Sequence, residues 1–259
     1  HDYIVARVDM RGTGNSEGKV IPYEYSDIEL DDGEMIIAWL ANQNWSSGNI
    51  GMFGISWGGF NAIQMAMRNP PALKAFVAVM ATEYLYEEDV HYIDGIMVSG
   101  DSWMMSNDLN NSMPGAPDFN MDEEWYKNRF DVEPSVYTYM REQRDGEFWD
   151  RASAKNKYDL IKVPGYHIGG WYDGYRNSLP RMIENVNAPV KAMIGPWDHD
   201  FPHNAALKPQ VEWRHEAVRW YDQWLKNEDT GILEEPKFSI YIRDYHPPDS
   251  SIEYIPGYW

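Results

Sequence analysis

The serine at position 56 lies in the pattern Gly54-x-Ser56-x-Gly58, which is typical of the nucleophile in acyl-transfer enzymes. The preceding run, 50–55, is apolar and predicts a strand, and the following run, 60–68, has the spacing of a helix. Such a sharp turn requires small residues beside the serine, and both glycines meet that requirement. The N–H groups at the start of the helix would face a developing oxyanion. The alternative is a glycine-rich corner with an idle serine.

A serine hydroxyl is a poor nucleophile at neutral pH, so it needs a base, and the base needs an acid that orients it. Asp173 and His199 are the candidates, because each follows a predicted strand and the order Ser, Asp, His is that of hydrolases with this serine turn. In open α/β sheets, ligands bind at the carboxyl ends of the parallel strands. We therefore expect the three side chains to converge at one edge of a sheet. Of the other histidines, His167 lies inside a predicted strand, where a packed role is more typical.

Other residues compete for these roles. The alternative for Asp173 is an Asx turn or a helix N-cap. Asp198 and Asp200 are rival acids, but immediate neighbours of a base rarely point back at its ring. With His199 and His203 they also suggest a metal site, which the proline between the two histidines disfavours because it breaks a regular helix. We therefore predict no metal and no cofactor.

Composition limits the class of protein. The chain has 259 residues, 43% of them hydrophobic, enough for one large α/β core with an insertion. Lys and Arg number 22 against 41 Asp and Glu, and a formal net charge of −19 argues against nucleic-acid and anionic-membrane partners. There is no cysteine, which excludes disulfides and cysteine-ligated zinc. The sequence does not distinguish between the bacterial cytoplasm, the periplasm and secretion as the location of the protein. It is also compatible with a homo-oligomer.

The order of predicted elements divides the chain into four parts. Strands and helices alternate over 1–82, with residues 3–9 as a buried strand, which predicts a mostly parallel sheet with right-handed crossovers. Residues 83–160 break the rhythm and are interpreted as an inserted helical cap. The sheet resumes over 161–232. Residues 233–259 have the pattern of a C-terminal β domain that begins here and is cut short.

Five segments form a larger pattern that spans nearly the whole chain. They are Asp9-x-Arg11-Gly12-x-Gly14-x-Ser16-Glu17-Gly18, Gly51-x-x-Gly54-x-Ser56-x-x-Gly59, Gly169-Gly170-Trp171-Tyr172-Asp173, Gly195-Pro196-Trp197-x-His199 and the helix around residues 219–226. In this order they resemble the cocaine esterase/X-Pro dipeptidyl-peptidase family of α/β-hydrolases, which includes α-amino acid ester hydrolases and glutaryl acylases. The resemblance implies an α/β-hydrolase fold with a helical cap and a C-terminal jelly-roll-like domain.

The resemblance also implies roles for the matched positions. Ser56 would be the acylated nucleophile, Asp173 the orienting acid and His199 the base. The backbone N–H of Trp57 would be one oxyanion donor, and in the family a tyrosine hydroxyl upstream of the segment 3–9 supplies the second.

Substrate recognition is predicted less specifically. Asp89 falls where some family members hold a substrate ammonium, the alternative being a solvated acidic helix end. Trp171 and Tyr172 are expected to line the pocket. The sequence thus predicts a serine hydrolase acting on a small-molecule acyl ester, an α-amino acid ester or an X-Pro peptide. The alternative is a catalytically silent binding or structural module with the same fold.

Overall fold

The computed structural model describes residues 3–98 and 112–259, which are built around a five-stranded sheet with the order β1-β2-β5-β6-β7. All four pairings in this sheet are parallel. Its strands are β1 (Ile50–Ile55), β2 (Leu73–Val79), β5 (Gly165–Gly170), β6 (Val190–Gly195) and β7 (Phe238–Ile240). Two antiparallel hairpins stand apart from it, β3 (Tyr92–Ile93) with β4 (Ile96–Met97) and β8 (Ile242–Arg243) with β9 (Gly257–Tyr258). The predicted parallel α/β architecture is confirmed.

Seven helices are described, one before the first strand and six between the strands of the main sheet. They are α1 (Asp27–Ala41), α2 (Trp57–Arg68), α3 (Glu123–Trp125, continued by a π turn at Tyr126–Phe130), α4 (Ser135–Arg141), α5 (Glu147–Asp150), α6 (Ser178–Asn185) and α7 (Trp213–Leu225). A 3-10 turn covers Tyr158–Leu160. No helix in the described ranges combines the length and apolar character that a membrane crossing would need.

The two faces of β2 show why the sheet is covered on both sides. Phe76 and Ala78 pack in one apolar cluster with Phe60 of α2, whereas Val77 and Val79 pack in a second cluster with residues of α7. Successive side chains of a strand point to opposite faces, so a strand that is apolar at every position must be buried between two layers. The result is a helix–sheet–helix sandwich in which α2 and α7 lie on opposite faces.

Side-chain hydrogen bonds cap the start of α1. The Ser26 hydroxyl accepts a hydrogen bond from the Glu29 N–H at 3.4 Å, and a Glu29 carboxylate oxygen accepts one from the Tyr25 N–H at 2.5 Å. Burial raises the pKa of Glu29 to about 8. This start of α1 lies against α2, since the rings of Tyr25 and Phe60 are stacked with centroids 5.5 Å apart.

The chain between β2 and β5 leaves the sheet. Its described part holds the first hairpin, α3, α4, α5 and the 3-10 turn, none of which pairs with the five strands. Part of the predicted cap, residues 99–111 of 83–160, lies outside the described residues. That this insertion acts as a cap over a substrate pocket stays a prediction.

Two sequence predictions are corrected. Residues 3–9 are not a buried strand: they pair with no strand in the described chain, and Ile4 and Val5 are 66% and 74% exposed. A β-prone run becomes a strand only where a neighbour supplies its ladder hydrogen bonds. The second correction concerns residues 238–240 of the interval 233–259, because β7 pairs in parallel with β6 and so belongs to the main sheet. That the rest of this interval begins a separate β domain stays a prediction.

Candidate active site

Ser56 occupies a strained turn between β1 and α2. Its φ is 55° and its ψ is −128°, a conformation that is uncommon for a residue with a side chain. The turn is held in place because the Ser56 N–H donates to the Val79 carbonyl at 2.9 Å and the Ser56 carbonyl accepts from the Phe60 N–H at 2.9 Å. Strain that is fixed by the surrounding backbone in this way is typical of a nucleophile turn.

The glycines around Ser56 do not all have the role expected of them. A Cβ at Gly54 would lie 2.4 Å from the Gly58 carbonyl carbon, so Gly54 is sterically required. At Gly58 the added atom would meet nothing within 4 Å. The second required glycine is Gly59, where a Cβ would lie 2.7 Å from the Ala81 Cβ. The need for small residues therefore comes from the contact of Gly54 with the first turn of α2 and from the contact of Gly59 with the chain just after β2.

Asp173 and His199 lie in the loops that follow two neighbouring strands, β5 and β6, and their side chains are in contact. The His199 Nδ1 atom lies 2.7 Å from the Asp173 Oδ1 atom. The Asp173 side chain is 3% exposed, whereas that of His199 is 46% exposed. With Nδ1 held by the carboxylate, Nε2 is the ring nitrogen left for proton transfer. Because β1, β5 and β6 are parallel, Ser56, Asp173 and His199 all follow the carboxyl ends of strands at the same edge of the sheet.

The rival acids have other partners. The Asp198 carboxylate accepts the Ala206 N–H at 3.2 Å, and the Asp200 carboxylate accepts the Phe201 N–H at 2.6 Å. Asp173 is not a helix N-cap, since that position of α6 belongs to Asn177. It does form the Asx-type turn, since its Oδ2 atom accepts the Tyr175 N–H. Its Oδ1 atom contacts His199 at the same time.

The remaining histidines near the sheet have structural environments. His203 Nδ1 accepts the Trp213 indole N–H at 2.9 Å. His167 is buried in β5, and burial lowers its pKa to about 4. Among residues 3–98 and 112–259, no three His, Asp or Glu side chains are grouped as metal ligands.

Trp57, the expected oxyanion donor, is the first residue of α2. The first N–H groups of a helix have no intrahelical acceptor, and the helix dipole places partial positive charge there. Its backbone N–H is therefore suited to an oxyanion that forms at the Ser56 side chain.

Asp89, the residue predicted to bind a substrate ammonium, is buried. It is 1% exposed and outside any helix, so the alternative of a solvated acidic helix end is wrong. Neither carboxylate oxygen has a well-formed hydrogen bond within the described residues, although the Val90 N–H lies alongside and His91 Nε2 is 3.7 Å away. Burial raises the pKa of Asp89 to about 6. Burial also raises the pKa of Tyr175, and the charges of Asp89 and then Asp173 raise it further, so this tyrosine lies within electrostatic range of both carboxylates.

Trp171 and Tyr172, the predicted pocket residues, face the C-terminal segment. The Trp171 indole N–H donates to the Tyr241 carbonyl at 2.7 Å. The Arg243 guanidinium lies 5.0 Å from the Tyr172 ring centroid and 5.7 Å from that of Trp171. Trp171 and residues 241–246 line an open cavity of about 500 Å³. A role of these two aromatic residues in substrate binding stays a prediction.

A buried ionic network supports the segment that carries Asp173. The Arg181 guanidinium binds Glu83 at 2.5 Å and Glu88 at 2.6 Å, so it joins the loop after β2 to α6. The Ser178 hydroxyl adds a hydrogen bond of 2.5 Å to Glu83, and the Asn177 amide adds one of 2.6 Å to Glu88. No local sequence pattern indicates this network, because Glu83 and Glu88 lie about 90 positions before the residues that bind them.

Comparison with known proteins identifies the family of this chain. The sequence model of the X-Pro dipeptidyl-peptidase family, S15, matches residues 1–200. The chain belongs to this family. The S15 family comprises serine hydrolases, so the predicted family and hydrolase class are confirmed.

Similar S15-type and esterase sequences come from several bacteria. The cocaine esterase of a Rhodococcus species is 24% identical over 93% of this chain and 48% of its own length. A putative Xaa-Pro dipeptidyl-peptidase of Bacillus anthracis is 22% identical over 92% of this chain and 41% of its own length. The chain thus spans about half the length of the curated relatives it matches.

Solved structures agree on the fold. A CocE/NonD family hydrolase from Staphylococcus aureus superposes with a TM-score of 0.66 at 22% identity, covering 91% of this chain and 39% of the other. An α-amino acid ester hydrolase gives a TM-score of 0.65 at 21% identity, covering 89% of this chain and 44% of the other. At such identities the likeness establishes the α/β-hydrolase fold alone.

Proposed function

We propose that the protein cleaves an ester or amide through an acyl-enzyme, with Ser56 as nucleophile, His199 as base and Asp173 as the acid that orients it. The observation that carries this proposal is the 2.7 Å contact between His199 Nδ1 and Asp173 Oδ1. It joins residues at the ends of two parallel strands, at the sheet edge where Ser56 begins its helix. A buried carboxylate bound to an accessible imidazole is the arrangement that a general base needs.

The steps follow from these roles. His199 Nε2 removes the proton of Ser56 as the hydroxyl attacks the substrate carbonyl. The tetrahedral oxyanion is stabilised by the Trp57 N–H and the dipole of α2. His199 then gives its proton to the leaving alcohol or amine, and the acyl-enzyme is hydrolysed by water in the same two stages.

The names of the relatives bear on the substrate. They include a cocaine esterase and putative Xaa-Pro dipeptidyl-peptidases, which act on an ester and on peptides respectively. We propose that this chain takes a small acyl ester, an α-amino acid ester or an X-Pro peptide. A silent binding module with a decayed site is disfavoured, because the contact of Asp173 with His199 and the strained turn at Ser56 are both present.

Fluorophosphonate labelling tests the nucleophile directly. We expect the full-length protein to be labelled at Ser56, because an activated serine hydroxyl attacks the phosphorus atom and stays bound to it. Mass spectrometry of the labelled peptide locates the adduct. Ser56→Ala should abolish labelling, and Ser16→Ala, which alters the hydroxyl bonded to the Asp9 carbonyl, should not. An adduct that persists in Ser56→Ala would contradict the proposal.

Asp89 is proposed to bind a substrate ammonium. A buried carboxylate without well-formed hydrogen bonds in the described chain has unused acceptor capacity, and its charge reaches Tyr175, the ring that contacts His199. A protonated α-amino group could donate charged hydrogen bonds to this carboxylate. A neutral N-acetyl group brings no positive charge and so would bind it less strongly.

This role predicts a preference for free-amine esters over their N-acetylated forms. Asp89→Asn should reduce that preference by about 10- to 100-fold in kcat/KM, the loss of one charged hydrogen bond. The pKa of Asp89 is raised to about 6, so the preference should be full above this pH and should decline as the carboxylate takes up a proton below it. Glu87→Gln, at an exposed carboxylate, is the matched control. Equal rates on both ester types in the unaltered protein would rule this role out.

A further inference from the structure

Tyr175 contacts both members of the candidate acid–base pair. Its backbone N–H donates to the Asp173 Oδ2 atom at 3.2 Å, which leaves Oδ1 to the His199 Nδ1 atom at 2.7 Å. Its ring meets the His199 imidazole edge to face, with centroids 5.6 Å apart and planes at 68°. One residue therefore fixes the carboxylate through its backbone and contacts the imidazole through its side chain.

The same ring also contacts the helix of the nucleophile. It packs edge to face on Phe60, with centroids 5.1 Å apart and planes at 88°. Phe60 belongs to the first turns of α2 and donates its N–H to the Ser56 carbonyl. Tyr175 is 6% exposed, so its ring fills the space between α2 and the imidazole.

The imidazole needs such a contact. Nearly half of the His199 side chain is exposed, and within the described residues its one side-chain hydrogen bond, through Nδ1, leaves the ring free to pivot. An aromatic ring packed against it restricts that motion. Among the described residues the Tyr175 hydroxyl makes no hydrogen bond, and burial raises its pKa, so the ring is the part that acts.

We propose that Tyr175 is a positioning residue whose ring sets the orientation of the His199 imidazole relative to Ser56. This inference rests on the proposed catalytic roles of Ser56 and His199. A displaced base lowers the rate of proton transfer but does not alter the binding of substrate, so the effect should fall on kcat rather than KM.

The test compares Tyr175→Leu with Tyr175→Phe in the full-length protein. We expect the leucine variant to lose about 100-fold in kcat, the scale of a small misplacement of a reacting group, with KM little changed. The phenylalanine variant should recover most of that loss because it keeps the ring. The low-field proton resonance of the His199 Nδ1–H, shared with Asp173, should be visible in the phenylalanine variant and lost in the leucine variant.

Controls separate this role from stability and from a pocket wall. Tyr166→Leu, at a buried tyrosine on the α7 face of the sheet, should lower the thermal midpoint without the loss in kcat. Should Tyr175→Leu fail to fold, Tyr175→Met fills the same space without a ring and should show the same kinetic loss. A folded leucine variant with unchanged kcat, or one in which only KM rises, would overturn the inference. So would an equal loss in Tyr175→Phe. Full activity in His199→Ala would instead refute the proposed function itself.

Discussion

Replacing His199 with alanine should lower kcat by on the order of 10⁶-fold, comparable to the loss of the serine itself. Without the imidazole, Ser56 loses the group that is proposed to take its hydroxyl proton at neutral pH. Asp173 would also keep a buried charge that has lost its contact with Nδ1. The measurement is steady-state hydrolysis of p-nitrophenyl acetate and of an α-amino acid ester by the full-length protein.

His203→Ala is the matched control for this prediction. His203 lies in the same loop, but its Nδ1 atom accepts the Trp213 indole N–H, so its role is structural. We expect this variant to keep its kcat and to lose some stability. Turnover that survives in His199→Ala would contradict the assignment of the base. Absence of turnover in the unaltered full-length protein, with no fluorophosphonate labelling, would favour the silent module instead.

The elements that position the site were predictable from the sequence because their signals are local. The apolar run 50–55 next to a helical pattern predicted β1 and α2, which the structure has at Ile50–Ile55 and Trp57–Arg68. The positions of Asp173 and His199 after apolar runs placed both residues at the ends of β5 and β6. Parallel pairing then brings the carboxyl ends of these strands, which are distant in sequence, to one edge of the sheet.

The predictions that were wrong depended on contacts between segments. Residues 3–9 have strand composition, but they pair with nothing in the described chain, and composition does not reveal whether a neighbour exists. Gly58 and Gly59 look equivalent in the sequence. Only the contact of Gly59 with Ala81, at the end of the next strand, decides which of them must lack a side chain.

Tyr175 and Arg181 were missed for a related reason. Tyr175 stands two positions after Asp173, a spacing that suits an Asx turn, but no local pattern shows that its ring reaches His199 and Phe60. Arg181 binds Glu83 across 98 positions of the chain. Packing between elements, rather than the propensity of either, creates both contacts.

Asp173→Asn is expected to lower kcat by about 10⁴-fold with little change in KM. The carboxylate accepts a hydrogen bond from the His199 Nδ1–H, which leaves Nε2 unprotonated and able to act as base. An asparagine amide can instead donate to Nδ1, which favours the tautomer with its proton on Nε2, where it faces the serine. The imidazolium that forms during the reaction also loses its neighbouring negative charge.

The controls for Asp173→Asn use the rival acids of the same region. Asp198→Asn removes a carboxylate beside the base that accepts the Ala206 N–H instead, so its kcat should change little. Because Asp173 is buried, the thermal midpoint of Asp173→Asn must be measured as well, and a folded variant with the full kinetic loss is the expected result. If Asp198→Asn rather than Asp173→Asn abolished turnover, the 2.7 Å contact would be structural and the orienting acid would lie beside the base in sequence. The tautomer argument distinguishes these outcomes, since only the acid bonded to Nδ1 controls which nitrogen holds the proton.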